Sequence, residues 1–257
     1  MTTTAARTPG APAFLALTRR ELLRFTRQPS RIVATIATPA LLWIFLAGGF
    51  AQSFAPPGES AAEYAAYLLP GMAVAVVLFS AIFAAMSLIE DRNSGFLQSV
   101  LIAPAPTWST VAAKSAGGAI LATLQAIVVL AASPLVGLRP TIPNVFLALL
   151  ALIITAVAII SLGLAAAWRV NSSEGFHGVM NLLLMPMWLL SGAFFPADGA
   201  APWLRVIMRI NPLHHCTESL RASLANTPFD ASLSWLVAFA FAAAMLLLAA
   251  ATIGRRA

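Results

Sequence analysis

Long apolar runs alternate along this chain with short polar breaks, and within each run the apolar residues are continuous. A helix needs roughly 20 apolar residues to cross the hydrocarbon core of a bilayer. Six stretches reach that length: 32–54, 68–89, 109–134, 143–167, 177–196 and 232–254. A membrane barrel would instead alternate apolar and polar residues in segments of about ten. The runs are rich in Ala and Leu and lack that alternation. The pattern predicts an all-α integral membrane protein with six transmembrane helices. Residues 1–31 read as a cytoplasmic tail with an interfacial helix, and 32–257 as the six-helix transmembrane domain.

The breaks carry their own patterns. Within 12–30, Phe14, Leu15, Leu22 and Phe25 share one arc at helical spacing, while Arg20, Arg24 and Arg27 fall opposite. Leu17, Leu23 and Glu21 interrupt that division. The segment predicts an amphipathic helix lying in the membrane interface; a solvated basic tail that only enforces topology is the other reading. After the second run, charged residues Glu90-Asp91-Arg92 precede Phe96, Leu97, Val100 and Leu101, the spacing of a short amphipathic helix, which Pro104 and Pro106 then stop. Such a helix at a membrane surface can dock into a groove on a soluble partner; a plain loop is equally compatible.

The connection from Ser191 to Ala231 is too apolar for a solvated loop and too rich in Gly and Pro for one spanning helix. Non-helical backbone at membrane depth is tolerated only where protein or a water-filled cavity covers it. Short re-entrant helices on the outer side fit, with Asn211-Pro212 starting a helical turn.

Composition narrows the class. Of 257 residues, 60% are hydrophobic and 9% charged, against about 25% charged in a soluble domain. The net charge of +6 comes with no single basic patch, which argues against nucleic acid. Its distribution sets an orientation instead. With both termini on one side, that side holds eleven of the 15 cations: Arg7, Arg19, Arg20, Arg24, Arg27, Arg31, Arg92, Lys114, Arg169, Arg255 and Arg256. Arg139, Arg205, Arg209 and Arg221 lie on the other. Both termini are therefore expected in the cytoplasm. The first apolar cluster, Phe14 to Leu17, is too short for a cleavable signal, so the run after Arg31 reads as a retained span.

Candidate chemistry is sparse. The only lysine, Lys114, precedes Ser115, but Trp108 and Ala113 occupy the glycine positions of a phosphate-binding Walker A loop. ATP-driven work would need a separate subunit. His214, His215 and Cys216 are adjacent, and neighbours on a helix point about 100° apart, so one ion cannot take all three. Charges within the predicted spans are nearly missing, which disfavours an ion or proton path and favours a bulky amphipathic or apolar substrate. Gly48, Gly49, Gly117 and Gly118 could serve close helix approach between subunits or merely pack locally.

Taken together, the six-run layout, the basic N-terminal helix, Glu90-Asp91-Arg92-Asn93-Ser94-Gly95-Phe96-Leu97 followed by Pro104, and Ser191-Gly192-Ala193-Phe194-Phe195-Pro196…Asn211-Pro212-Leu213…Glu218…Arg221 resemble ABC type-2 transporter permeases. The resemblance implies that Glu90, Asp91, Arg92, Gly95, Phe96, Leu97 and Pro104 form a coupling helix seated on an ATPase subunit. It implies that Ser191, Gly192, Phe195, Pro196, Asn211, Pro212, Glu218 and Arg221 form re-entrant outer helices that gate the exit. It also implies no cofactor in this chain, with ATP and Mg on two ATPase subunits, and a second permease, identical or homologous, in the bacterial inner membrane. Gln98 stands where the family commonly has Glu, and His214-His215 where it has an aromatic. Two other classes remain open: a non-transport membrane scaffold, and a lipid-modifying membrane enzyme built on His214, His215 and Glu218.

Overall fold

The computed structural model describes residues 10–49, 61–102, 106–170 and 172–254. Every regular element among them is helical: α1 (Gly10–Thr26), α2 (Pro29–Gly49), α3 (Ala61–Asn93), α4 (Phe96–Ile102), α5 (Thr107–Leu130), α6 (Ile142–Arg169), α7 (Ser173–Leu189), α8 (Pro202–Ile210), α9 (Pro212–Leu224) and α10 (Ser232–Gly254), with 3-10 turns at Ser133–Val136 and Ala197–Gly199. Five of these helices, α2, α3, α5, α6 and α10, are long and apolar enough to cross a membrane.

The predicted fifth span differs from the helix that forms. α7 has 17 residues, roughly 25 Å from the helical rise per residue, and it ends at Leu189 rather than at 196. Ser191 and Gly192 follow, and Gly192 takes φ +78°, a left-handed conformation that ends a helix. Hydropathy missed the break because Leu190, Ala193, Phe194 and Phe195 remain apolar on both sides of it.

α3 is the central post. Its 33 residues are buried without interruption from Leu68 to Leu78, so it is covered on all sides where a surface helix would keep one face exposed. α6 packs along it, with Gly163 admitting Ala85 closely, and α5 and α10 complete the bundle. Gly118 faces Ala84 and Ile160, and Gly117 faces Glu21, so both serve packing within this chain. A Cβ added at Gly48 or Gly49 would meet nothing within 4 Å beyond its own stretch of helix among the described residues.

Local signals explain the helix starts. Ser172 caps α7 by accepting from Gly175 N at 3.0 Å, and Asn211 caps α9 by accepting from Leu213 N at 3.1 Å; both satisfy first-turn amides. Pro202 and Pro212 open α8 and α9, where the missing N–H costs nothing.

The faces of α1 do not follow the predicted division. Thr18, Glu21 and Phe25 turn inward onto the bundle, while Leu15 and Leu23 are exposed. Arg20 and Arg24 are not held away from the protein; they reach acids on α3. Burial of a charged pair outweighs amphipathic sorting here, because each buried charge needs a partner.

Candidate functional site

Two polar clusters stand at opposite ends of the bundle. The first joins α1, α3 and α5. Lys114 Nζ lies 2.6 Å from Asp91 Oδ2, 2.9 Å from Glu21 Oε1 and 3.1 Å from Ser87 Oγ, so all three ammonium protons have an acceptor. Arg20 grips Asp91 with two nitrogens, at 2.9 and 3.2 Å, and contacts Glu21 at 3.2 Å. Arg24 reaches Asp91 at 2.8 Å and also pairs with Glu90, which takes Arg31 at 2.9 Å. Burial alone would lower the Arg20 pKa, but its hydrogen bonds and charge pairing with Asp91 and Glu21 raise it.

This network corrects two readings. Lys114 sits inside α5, within the predicted run 109–134, and is 6% exposed. Charges within the long helices are therefore present: Arg31, Glu90, Asp91 and Lys114 pair at one end, while Glu63 lies in the first turn of α3 at the other. Asp91 is 1% exposed, so it meets its own chain's cations and presents nothing outward.

The network also backs the segment that follows α3. The helix ends with Ser94 N and Gly95 N bonded to the carbonyls of Glu90 and Arg92, and Gly95 takes φ +75°, so α4 starts in a new direction. The Arg20 guanidinium carbon stands 3.6 Å from the centre of the Phe96 ring, a cation–π contact, and Leu97 is buried. Asn93, Ser94, Gln98 and Ser99 are exposed. Arg92 points elsewhere: it donates to Trp168 O at 3.1 Å and to Val170 O, capping the last carbonyls of α6. Pro104 lies outside the described residues.

The second cluster lies at the other end, between α3, α9 and the turn after α7. Gly192 O accepts from Tyr67 Oη and from Arg221 Nη2, both at 2.7 Å. The Arg221 guanidinium stacks 4.1 Å over the Tyr67 ring and pairs with Glu218. His214 Nδ1 donates to Ser191 O at 3.1 Å, and Asn211 donates to Met187 O at 2.6 Å. Ser191, Gly192, Asn211, Glu218 and Arg221 thus all lie in this cluster. Phe195 and Pro196 are exposed and stand apart. Tyr67 was missed: it and Tyr64 sit three residues apart at the start of an apolar helix and give no local signal of a partner. His215 turns away from His214's partners, toward Arg209 O and Ser234. Among the described residues no group of His, Cys, Asp or Glu is placed to hold a metal ion.

The family model for the ABC-2 type transporter matches residues 12–225. The chain belongs to the ABC-2 type transporter family. This permease is 29% identical over 219 residues to "Putative transport permease ycf38" of Porphyra purpurea, covering 84% of this chain and 75% of that one. It is 27% identical over 158 residues to "Probable multidrug ABC transporter permease YbhR" of Escherichia coli, covering 61% and 43%. It is 23% identical over 228 residues to "Daunorubicin resistance ABC transporter permease protein DrrB1" of Streptomyces coeruleorubidus, covering 86% and 78%. The protein is thus a multi-pass transmembrane permease subunit, and its family implies association with an ABC ATPase subunit.

Proposed function

We propose that this permease is half of the membrane part of an ATP-driven exporter that moves an amphipathic or hydrophobic substrate outward. Two ATPase subunits carry ATP and Mg, and a second permease completes the pathway. α7 is the fifth of six crossings, both termini face the cytoplasm of a bacterial inner membrane, and α8 and α9 re-enter from the outer side. The drug-related names of two relatives support the substrate class. The gathering of Arg92, Lys114, Arg169 and α1 at one end, with Arg139 and Arg221 at the other, supports the orientation.

One observation carries the coupling assignment. α4 is backed on its inner side by Leu97 and by Phe96 under Arg20, while Gln98 and Ser99 face out. A firmly backed helix with an exposed polar face can transmit a push from a soluble motor into α3 and α5. Glu90, Asp91 and Arg92 act behind it, holding the base of α4. ATP can shift the permease only if the ATPase dimer binds its inward and outward forms with different affinity.

The test is co-purification with the ATPase and measurement of its substrate-stimulated turnover. Asp91→Asn should abolish stimulation while leaving basal hydrolysis by the ATPase. If stimulation persists unchanged in that variant, the coupling assignment fails. A permease that binds the ATPase yet never responds to substrate would be the scaffold instead.

A further inference from the structure

The outward ridge of α1 carries a pattern that the ion network leaves unused. Leu15, Arg19 and Leu23 follow one another at i, i+4 spacing and form a single stripe along the helix, and Arg27 stands in the turn just after its last residue. All four are exposed. The stripe alternates apolar and basic, unlike the inward face, where Thr18, Glu21 and Phe25 are buried. Beside the ridge runs an open groove of about 950 Å³, whose lining includes Arg19, Arg20, Leu23, Arg24 and Arg27 together with Glu90 and Asp91.

Charge in this region does not balance. Arg20, Arg24, Arg31 and Lys114 share the three acids Glu21, Glu90 and Asp91, and those pairs account for every acid there. Arg19 and Arg27 add two cations that have no acidic partner among the described residues. The acids are thus spent on the inner cations, and the groove faces outward with a net positive charge.

We propose that this ridge and groove bind the headgroup of an anionic phospholipid of the cytoplasmic leaflet. The ligand chemistry is a phosphodiester carrying net negative charge, held by Arg19 and Arg27 while Leu15 and Leu23 enter the acyl boundary. Arginines on such a stripe lay their stems along apolar surface and keep their heads at the phosphate level. Basic clusters on interfacial helices favour anionic over zwitterionic lipid. A nearby consequence follows for α4. Arg20, on the next turn face, contacts both Asp91 and Phe96, so lipid seated on α1 steadies the helix that backs the coupling segment. This inference rests on the proposed placement of α1 at the membrane surface, but it makes no use of ATP hydrolysis.

The test uses the full chain in detergent–lipid micelles with spin-labelled phosphatidylglycerol or spin-labelled phosphatidylcholine, reading the motionally restricted fraction. Wild type should retain phosphatidylglycerol preferentially. Arg19→Gln and Arg27→Gln should each reduce that preference about fivefold, while Arg19→Lys with Arg27→Lys keeps most of it. Both arginines are exposed, so the variants fold, and a size-exclusion profile checks this. Equal retention of the two lipids by wild type, or undiminished preference in the double glutamine variant, overturns the proposal. An inorganic phosphate arm separates the sources. Displacement of labelled phosphatidylglycerol by millimolar phosphate, at constant ionic strength, would make this a free-phosphate site and overturn the lipid assignment. Unchanged ATPase stimulation in Asp91→Asn, with the lipid preference of wild type intact, would count against the coupling reading alone.

Discussion

Lys114 and Asp91 meet at 2.6 Å from helices α5 and α3, with 6% and 1% of their side chains exposed. Removing one partner from such a pair leaves the other charged and buried, which costs about 3–5 kcal/mol. Lys114→Met should therefore lower the thermal midpoint of the purified permease by many degrees, measured by intrinsic fluorescence in detergent. Restoring an apolar match with Asp91→Leu and Glu21→Leu in the same chain should recover part of that loss. A single Lys114→Met variant as stable as wild type would show that the pair does not hold α3 to α5.

Glu90 offers a contrast within the same cluster. Its side chain is 29% exposed and it pairs with Arg24 and Arg31, themselves about a quarter exposed. Exposed pairs of this kind contribute about 0–1 kcal/mol. Glu90→Gln should shift the midpoint little, while Asp91→Asn, which faces Arg20, Arg24 and Lys114, shifts it strongly. Equal shifts for the two would contradict the inward role assigned to Asp91.

The apolar runs made the long helices legible, because a span's length is set by bilayer thickness and shows directly in the residues. The ion network was not legible, because its members lie far apart in sequence: Glu21 and Lys114 are 93 residues apart. Yet Glu21 left a trace. It interrupted the amphipathic division of α1, and the residue that spoiled the pattern is the one that faces Lys114. The outer turn was reached differently: Ser191, Gly192, Asn211, Glu218 and Arg221 were named through the resemblance to ABC type-2 permeases, whereas Tyr67 lies on α3, outside the segment that carried it. What sequence could not supply was which carbonyl these side chains would share.

Arg92 and the end of α6 give a third expectation. The guanidinium donates to two carbonyls there, Trp168 O and Val170 O, and hydrogen bonds involving a charged group contribute about 1.5–3 kcal/mol. Lysine cannot bridge two carbonyls with the same fork. Arg92→Lys should thus behave nearly like Arg92→Ala, with faster hydrogen exchange in the last turn of α6 in both. Full protection in the lysine variant would argue that charge alone suffices.

The tight outer turn gives a fourth. A Cβ on Gly71 would stand 2.5 Å from Ala193 Cβ and 2.6 Å from its Cα, and backbone cannot move aside cheaply. Gly192 adds a left-handed φ of +78°, which costs an L-residue about 1–2 kcal/mol. Gly71→Ala should destabilise more than Gly192→Ala, and both should loosen the turn held by Tyr67 and Arg221. Tryptophan emission from Trp188, whose Nε1 donates to Gly71 O at 3.0 Å, reports the change. No spectral difference between wild type and Gly71→Ala would mean that the turn does not pack as described.

The exposed face of α4 is best tested by thiol chemistry, since the chain has a single cysteine. Cys216 is 1% exposed, and burial pushes its thiol up to about 12. A thiolate is the reactive form, so wild type should be inert to maleimide in the folded state. Gln98→Cys should label rapidly, because position 98 faces out, and Leu97→Cys slowly, because Leu97 is buried. Addition of the partner ATPase should then slow labelling of the Gln98→Cys variant and leave a control Ala231→Cys variant, at the far end of the bundle, unaffected. Comparable rates for the 97 and 98 variants would refute the facing of α4. Undiminished labelling at 98 in the assembled complex would show that the ATPase seats elsewhere.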